Sequence, residues 1–292
     1  MVNKNVGAEN LVMKMSVWRV YAVASLVMMA VVAASSTAYA QYRPSTSFAE
    51  AAIGEDYHIE ASYGWWNASP SLIVNSESLE ILGTDVDLVS DLGIEKKRLG
   101  MFDLVFKAGR KHRFRYQRLP LRYETDAFQV QRRFIFNGQS FDIGIPVTTS
   151  VDFTTHRFGY EYDFLYFRRG FIGALVDLKY TNVDLDLRSP IHSEFVSATA
   201  PIPTVGVVGR GYVLPNLAVN AELTLFRTPD GLAEQLEGDA SYTDFDINGT
   251  FNFNKNVGFK MGYRRMSVFY DVELDTGDLK FKGLYFGGVV RY

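Results

Sequence analysis

No cysteine occurs among the 292 residues. The chain therefore has no disulfide, and it lacks the thiol that lipidation at an export cleavage site requires. Past residue 34 there is also no long apolar run, so no helix of about 20 apolar residues is available to cross a bilayer. Charge of one sign is lacking as well. The net formal charge is -3, which offers no electrostatic footprint for nucleic acid. The four histidines, His58, His112, His156 and His192, are scattered without an H-x-x-x-H spacing, so no metal site and no cofactor is expected. No repeat of fixed period and no linker divides the chain. With 47% hydrophobic and 14% aromatic residues, general disorder is excluded.

What is present begins with a processing signal. Lys14 and Arg19 precede an apolar run from Val20 to Ala34, and Ala38-Tyr39-Ala40 follows. A positive segment, a short apolar core and an A-x-A site predict a secretory signal peptide over residues 1–40, cleaved after Ala40. An uncleaved anchor is the alternative, on a core short for a spanning helix. Without Lys4, Glu9, Lys14 and Arg19 the exported chain holds 27 basic and 32 acidic residues, a net -5. Residues 41–56 are polar and read as a periplasmic tail. Residues 57–292 then form one domain.

In that domain apolar and polar residues alternate with period two, which points successive side chains to opposite faces of a pleated strand. Phe158, Tyr160, Tyr162, Phe164 and Tyr166 share one face, and Arg157, Gly159, Glu161 and Asp163 the other. After a turn at Phe167 to Gly170, Ile172, Ala174, Val176, Leu178 and Tyr180 alternate with Gly173, Leu175, Asp177, Lys179 and Thr181. A soluble sandwich would bury such an apolar face as its core. Two features argue against that. The strands run to about 11 to 17 residues where soluble ones average about five or six. Short turns at Ala108 to Lys111, Phe167 to Gly170, Pro215-Asn216 and Asn254 to Asn256 also interleave with long connections at 68–98, 125–146, 189–202, 228–238 and 273–278. Short turns on one rim and long loops on the other mark a transmembrane barrel. Asn137-Gly138 predicts a small hairpin within the second long connection, and residues Leu72 to Leu82 suggest another in the first.

The last strand carries a further signal. Leu284, Phe286, Gly288, Val290 and Tyr292 alternate with Tyr285, Gly287, Val289 and Arg291, and the chain stops on an aromatic residue. Over about eight residues this resembles the carboxy-terminal signal strand of bacterial outer-membrane β-barrel proteins, with Tyr285, Gly287, Val290 and Tyr292 in the places of that pattern. The resemblance implies an outer-membrane location in a Gram-negative cell, recognition by the barrel-assembly machinery, and outer-membrane lipid and lipopolysaccharide as surroundings. The expected fold is all-β: an antiparallel up-and-down transmembrane barrel of ten strands, with twelve or eight as alternatives.

If the apolar faces meet lipid, a charged set points into the lumen: Glu60, Asp103, Lys107, Arg113, Arg115, Arg157, Glu161, Asp163, Asp177, Lys179, Arg210, Glu222, Asp244, Asp246, Lys260, Arg264 and Arg291. Eight acids stand against nine bases. A barrel of about eight strands is filled by its own side chains, whereas about 16 leave a channel. A ten-stranded lumen is thus expected to be plugged by ions pairing across it. Trp65 reads as an interfacial anchor, Trp66 as a lumen cap by its opposite parity, and His58 as a lumen group near the periplasmic rim. His156 falls on the outward face, and His112 in a turn. Asp85, Asp87, Asp91 and Glu95 read as a solvated acidic loop, since calcium would need regular ligand spacing and a glycine. Some small outer-membrane barrels are lipid A hydrolases or proteases, and His192-Ser193-Glu194 sets the three residue types of acyl transfer side by side. Adjacent residues do not aim at one point, so no catalytic residue is assigned. A structural or surface-interaction role is expected first, a narrow porin-like channel second, and a surface hydrolase third.

Overall fold

The computed structural model describes residues 52–76, 83–229, 238–272 and 275–292. The predicted signal over residues 1–40 and the tail as far as residue 51 lie outside the described residues, as do residues 77–82. The described strands are, in chain order, β1 (Ile59–Ser76), β2 (Val86–Asp87), β3 (Lys97–Lys107), β4 (His112–Gln129), β5 (Phe134–Phe136), β6 (Gln139–Phe141), β7 (Pro146–Phe167), β8 (Gly170–Arg188), β9 (Ser193–Leu214), β10 (Leu217–Arg227), β11 (Gly238–Asn252), β12 (Val257–Val272) and β13 (Asp275–Arg291).

Ten of these make one antiparallel sheet, each strand beside its neighbour in sequence, and β13 returns to pair with β1 from Glu60↔Arg291 to Ser76↔Asp275. The sheet is a closed ten-stranded up-and-down barrel with no free edge, the solution a membrane demands because every backbone group must be paired. Twelve and eight strands are both excluded. The closure is tight where Gly64 faces Gly287. A Cβ on Gly287 would stand 2.5 Å from the Tyr63 carbonyl oxygen and 2.7 Å from the Gly64 Cα, so glycine is required for the last strand to approach the first.

The short turns, Ile59 and Tyr292 share one rim, called the lower end here. At the upper end, β5 and β6 form the expected hairpin, with Asn137 and Gly138 at φ 48° and 75°. Of the hairpin suggested over Leu72 to Leu82, residues 77–82 lie outside the described residues; β1 runs on to Ser76, and its Ile73 and Val74 pair antiparallel with Asp87 and Val86 of β2. Likewise β9 starts at Ser193, inside the span expected to be loop. Strands β7 and β9 each have 22 residues, about twice the 9 to 11 that cross a bilayer.

The reason these extensions escape a periodicity reading is an inversion of polarity half-way up. In the lower part of β7, Phe158 and Phe164 face outward and are exposed, while Arg157, Glu161 and Asp163 face inward and are buried. Above His156 the parity continues but the chemistry swaps. Phe153, Val151 and Val147 are buried inside, and Thr148, Ser150, Asp152 and Thr154 take the outer face. Strand β8 does the same, with Asp177 and Lys179 inside below, Leu185 and Leu187 inside above, and Asp184, Asp186 and Arg188 on the upper exterior. The lower half is built to stand in lipid and the upper half in water.

Candidate functional site: the ionic interior

The inversion splits the barrel interior into two compartments. In the lower one the structure brings together all seventeen charged residues that strand parity selects. Arg113 reaches Glu161 at 2.6 Å and also pairs with Asp163. Arg115 spans Glu161 and Glu222 at 3.1 and 2.7 Å. Arg157 pairs with Asp177 at 2.7 Å and with Glu222. Higher up, Asp244 receives Lys179 at 3.0 Å and Arg264 at 2.7 Å. Lys260 binds Asp103 at 2.6 Å, and Glu60 takes Arg291 at 2.5 Å and Arg210 at 3.4 Å. Among the described residues Asp246 makes no ion pair and instead accepts from Tyr285 Oη at 2.7 Å and Asn248 Nδ2 at 2.8 Å. An ion removed from water in this way needs a partner, because one stranded alone costs several kcal/mol.

One member of the network lies outside the strands. Glu55, placed by composition in the polar tail, accepts from Arg113 at 2.9 Å and pairs with Arg210 at 3.3 Å and Lys107 at 3.4 Å. It supplies the ninth acid, which balances the nine bases. The tally of eight against nine was the signal that could have found it.

The segment carrying Glu55 corrects a second expectation. The amides of His58 and Ile59 both donate to the Tyr292 carbonyl oxygen, at 2.7 and 2.9 Å. Two consecutive residues on one acceptor form a bulge that shifts parity by one. Tyr57 therefore turns inward and is buried, while His58, expected in the lumen, is exposed. Burial, with Glu60 beside it, pushes the Tyr57 hydroxyl pKa above its ordinary range.

The upper compartment has an apolar core that includes Leu119, Leu121, Phe153, Leu185, Met266 and Phe281. The loop and hairpin above add to it, for Leu88, Leu92, Phe134, Phe136 and Phe141 are all buried. Trp66, read as a lumen cap, is fully buried, donates from Nε1 to the Gly283 carbonyl at 3.0 Å, and lies under the Arg264 guanidinium at 5.7 Å. Tyr242 lies under Lys179 at 4.1 Å. These two rings stand between the ionic and apolar compartments. The acidic loop is not wholly solvated: Asp91 is buried, accepting from the Asp87 amide at 3.1 Å and pairing with Arg132 at 2.7 Å.

The remaining space is small. A cavity of about 100 Å³ lies among the ions and one of about 40 Å³ in the apolar core, against roughly 300 Å³ or more for a small-molecule site. The catalytic alternative is not assembled. His192 precedes strand β9, and Ser193 and Glu194 open it on alternate faces, with Ser193 exposed. The His192 ring packs 6.2 Å from Phe141, and Glu194 accepts from Asn137 at 2.8 Å. His112 begins β4 and lies 2.7 Å from the Tyr160 hydroxyl, and His156 meets the Tyr116 hydroxyl at 2.9 Å. Among the described residues no three His, Asp or Glu side chains converge as metal ligands.

No family model matches the sequence, and a search of curated proteins finds no match. Solved structures do match. The outer-membrane protease OmpT of Escherichia coli superposes with a TM-score of 0.54 at 7% identity, over 82% of this chain and 98% of that one. The fold is that of an outer-membrane β-barrel. Ail, the attachment invasion locus protein of Yersinia pestis, scores 0.35 at 8% identity over 80% of this chain and 97% of its own. The Pseudomonas putida toluene transporter TodX scores 0.34 at 8% identity over 81% and 90%.

Proposed function

We propose that this chain is an outer-membrane protein of a Gram-negative cell that works through the part projecting from the membrane, and that its barrel does not conduct solutes. The observation that carries this reading is the filling of the interior along its length, by paired ions below and by an apolar core above. Exported by a signal cleaved after Ala40, the barrel would be handed to the assembly machinery by the last strand, with Tyr285, Gly287, Val290 and Tyr292 as the recognised pattern.

The outer surface supports a seat in lipid. Exposed aromatic and aliphatic side chains such as Phe114, Phe158, Ile172, Val207, Met261 and Leu284 ring the lower half, where only acyl chains satisfy them. The first polar row above them is cationic. Arg265 on β12 faces Lys282 on β13 in register, and Arg98 and Arg118 are exposed on β3 and β4. Like charges directly opposite one another repel, and the phosphates of lipid and lipopolysaccharide headgroups at that depth would relieve them.

The surface role belongs to the upper rim, where Ile143, Ile191 and Phe195 are exposed. Steady single-channel conductance of the wild-type barrel in a planar bilayer would defeat the reading; a silent bilayer with a heat-modifiable, folded barrel is the expected result. The small ionic cavity is the one observation that favours a narrow channel instead, and the same measurement decides between them. For a hydrolase, acyl or peptide release lost on Ser193→Ala would be required.

A further inference from the structure

The acids of the ionic compartment are fixed on strands, with one exception. Glu55 rides on residues 52–58, which precede the first strand and cross the lower mouth of the barrel. The segment is fastened at both sides of its carboxylate. Ile53 N donates to the Pro215 carbonyl oxygen at 2.7 Å, Asn252 Nδ2 donates to the Ile53 carbonyl at 2.7 Å, and Lys107 Nζ donates to the Glu55 carbonyl at 2.6 Å. Gly54 makes the crossing at φ +90°, where a Cβ would stand 2.8 Å from an Arg291 guanidinium nitrogen. The Glu55 carboxylate then sits among Arg113, Arg210, Lys107 and the Tyr212 hydroxyl, the last at 3.3 Å. These four groups belong to three strands of the barrel wall, Lys107 to β3, Arg113 to β4, and Arg210 and Tyr212 to β9, so the sheet and not the strap holds their backbones.

From this we infer that Lys107, Arg113, Arg210 and Tyr212 form a built anion site at the lower mouth, occupied in cis by Glu55, which accepts a small free carboxylate or phosphate when the strap is lifted. The charge count supports it: with Glu55 in place nine acids meet nine bases, and without it the unmatched positive charge falls where three cations converge. Arg113 keeps Glu161 and Asp163, and Arg210 keeps Glu60, so the wall stays partly paired and an incoming anion restores balance. A bidentate carboxylate is the best fit, since guanidinium groups bind one as a fork.

Chemical rescue tests this in the full chain, folded in detergent. Glu55→Ala lowers the thermal unfolding midpoint, and sodium formate or acetate restores most of the loss, while sodium chloride at matched ionic strength does not. Glu222→Ala, deeper in the same network but away from the strap, is destabilised without comparable rescue. Gly54→Val is the second variant. It keeps every charge and displaces the strap, and titration with inorganic phosphate or acetate in a calorimeter should give a saturable signal that wild type lacks. Equal rescue by chloride, equal rescue of both alanine variants, or Gly54→Val binding no more anion than wild type would each overturn the site. If Glu55→Ala fails to fold in chloride, recovery of heat-modifiable barrel by refolding in formate or acetate supports the inference, and failure in every anion refutes it. Conductance of the wild-type barrel is a separate readout, so failure here leaves the proposed function standing.

Discussion

The lower and upper halves of this barrel share the same strands and the same side-chain parity, yet they reverse which face is apolar. Below His156 of β7, ions fill the inside and aromatic rings cover the outside; above it, Phe153 and Val151 fill the inside and Thr154, Asp152 and Ser150 cover the outside. The solvent accounts for the difference. Where acyl chains surround the wall, outward apolar groups lose nothing, and burying more inside gains little beyond packing, so the interior is free to hold polar groups provided each finds a partner. Where water surrounds the wall, the hydrophobic effect returns and the apolar residues must move inside. A single strand therefore records the bilayer boundary as a switch in which parity is greasy.

The comparison breaks most visibly if one buried partner is removed. Arg157→Met leaves Asp177 and Glu222 without their shared cation, and a stability loss of about 3–5 kcal/mol is expected. In the upper half the strands enclose an apolar core instead. There Leu185→Ala opens a hole beside Phe153 and Phe281 in the apolar core, with an expected loss of about 2–4 kcal/mol. Reversible folding into vesicles, followed by denaturant titration, measures both. If Arg157→Met proves harmless, the lower compartment is wetter than its burial implies and the two halves differ little in what they exclude.

Much of this is legible in the sequence. Strand parity in the lower half selects every strand-borne member of the ionic set, because the charges there sit at inward positions and the outward positions are mostly apolar. The ten-strand count follows from short turns, such as Phe167 to Gly170, interleaved with long connections, while Asn137-Gly138 reports the separate small hairpin. The upper half was not legible as barrel. A rule that equates apolar with outward reads Leu185, Leu187, Val183 and their neighbours as a broken pattern, and so the ends of β1 and β9 passed for loop. Glu55 and the inward turn of Tyr57 escaped for a different reason. A bulge created by two amides sharing the Tyr292 carbonyl depends on where the last strand ends in space, and no local spacing reports that.

The boundary itself can be located by charge insertion. Phe158→Arg puts a guanidinium on the lipid face, where about 2–4 kcal/mol of destabilisation is expected near mid-depth. Thr154→Arg, four residues along on the same face of β7, lies above the boundary and should stay within about 0.5 kcal/mol of wild type. The absence of cysteine allows a cellular version. In whole cells a membrane-impermeant maleimide should label Ser150→Cys and leave Phe158→Cys unmodified. Labelling of both would place the apolar ring outside lipid.

The smallest effect expected comes from the ion pairs on the upper exterior, and it shows that position rather than pairing gives the lower network its weight. Arg122 pairs with Asp152 across β4 and β7 in the same way that Arg157 pairs with Asp177 across β7 and β8, but the Arg122 side chain is 62% exposed where that of Arg157 is 4%. Water already solvates the first pair, and salt screens it further, so Arg122→Ala should cost less than about 1 kcal/mol and lose even that at high ionic strength. The buried pair has no water to fall back on. If raising salt erased the cost of Arg157→Met as it does that of Arg122→Ala, ions would be reaching the lumen freely, and a closed lower compartment would no longer be tenable.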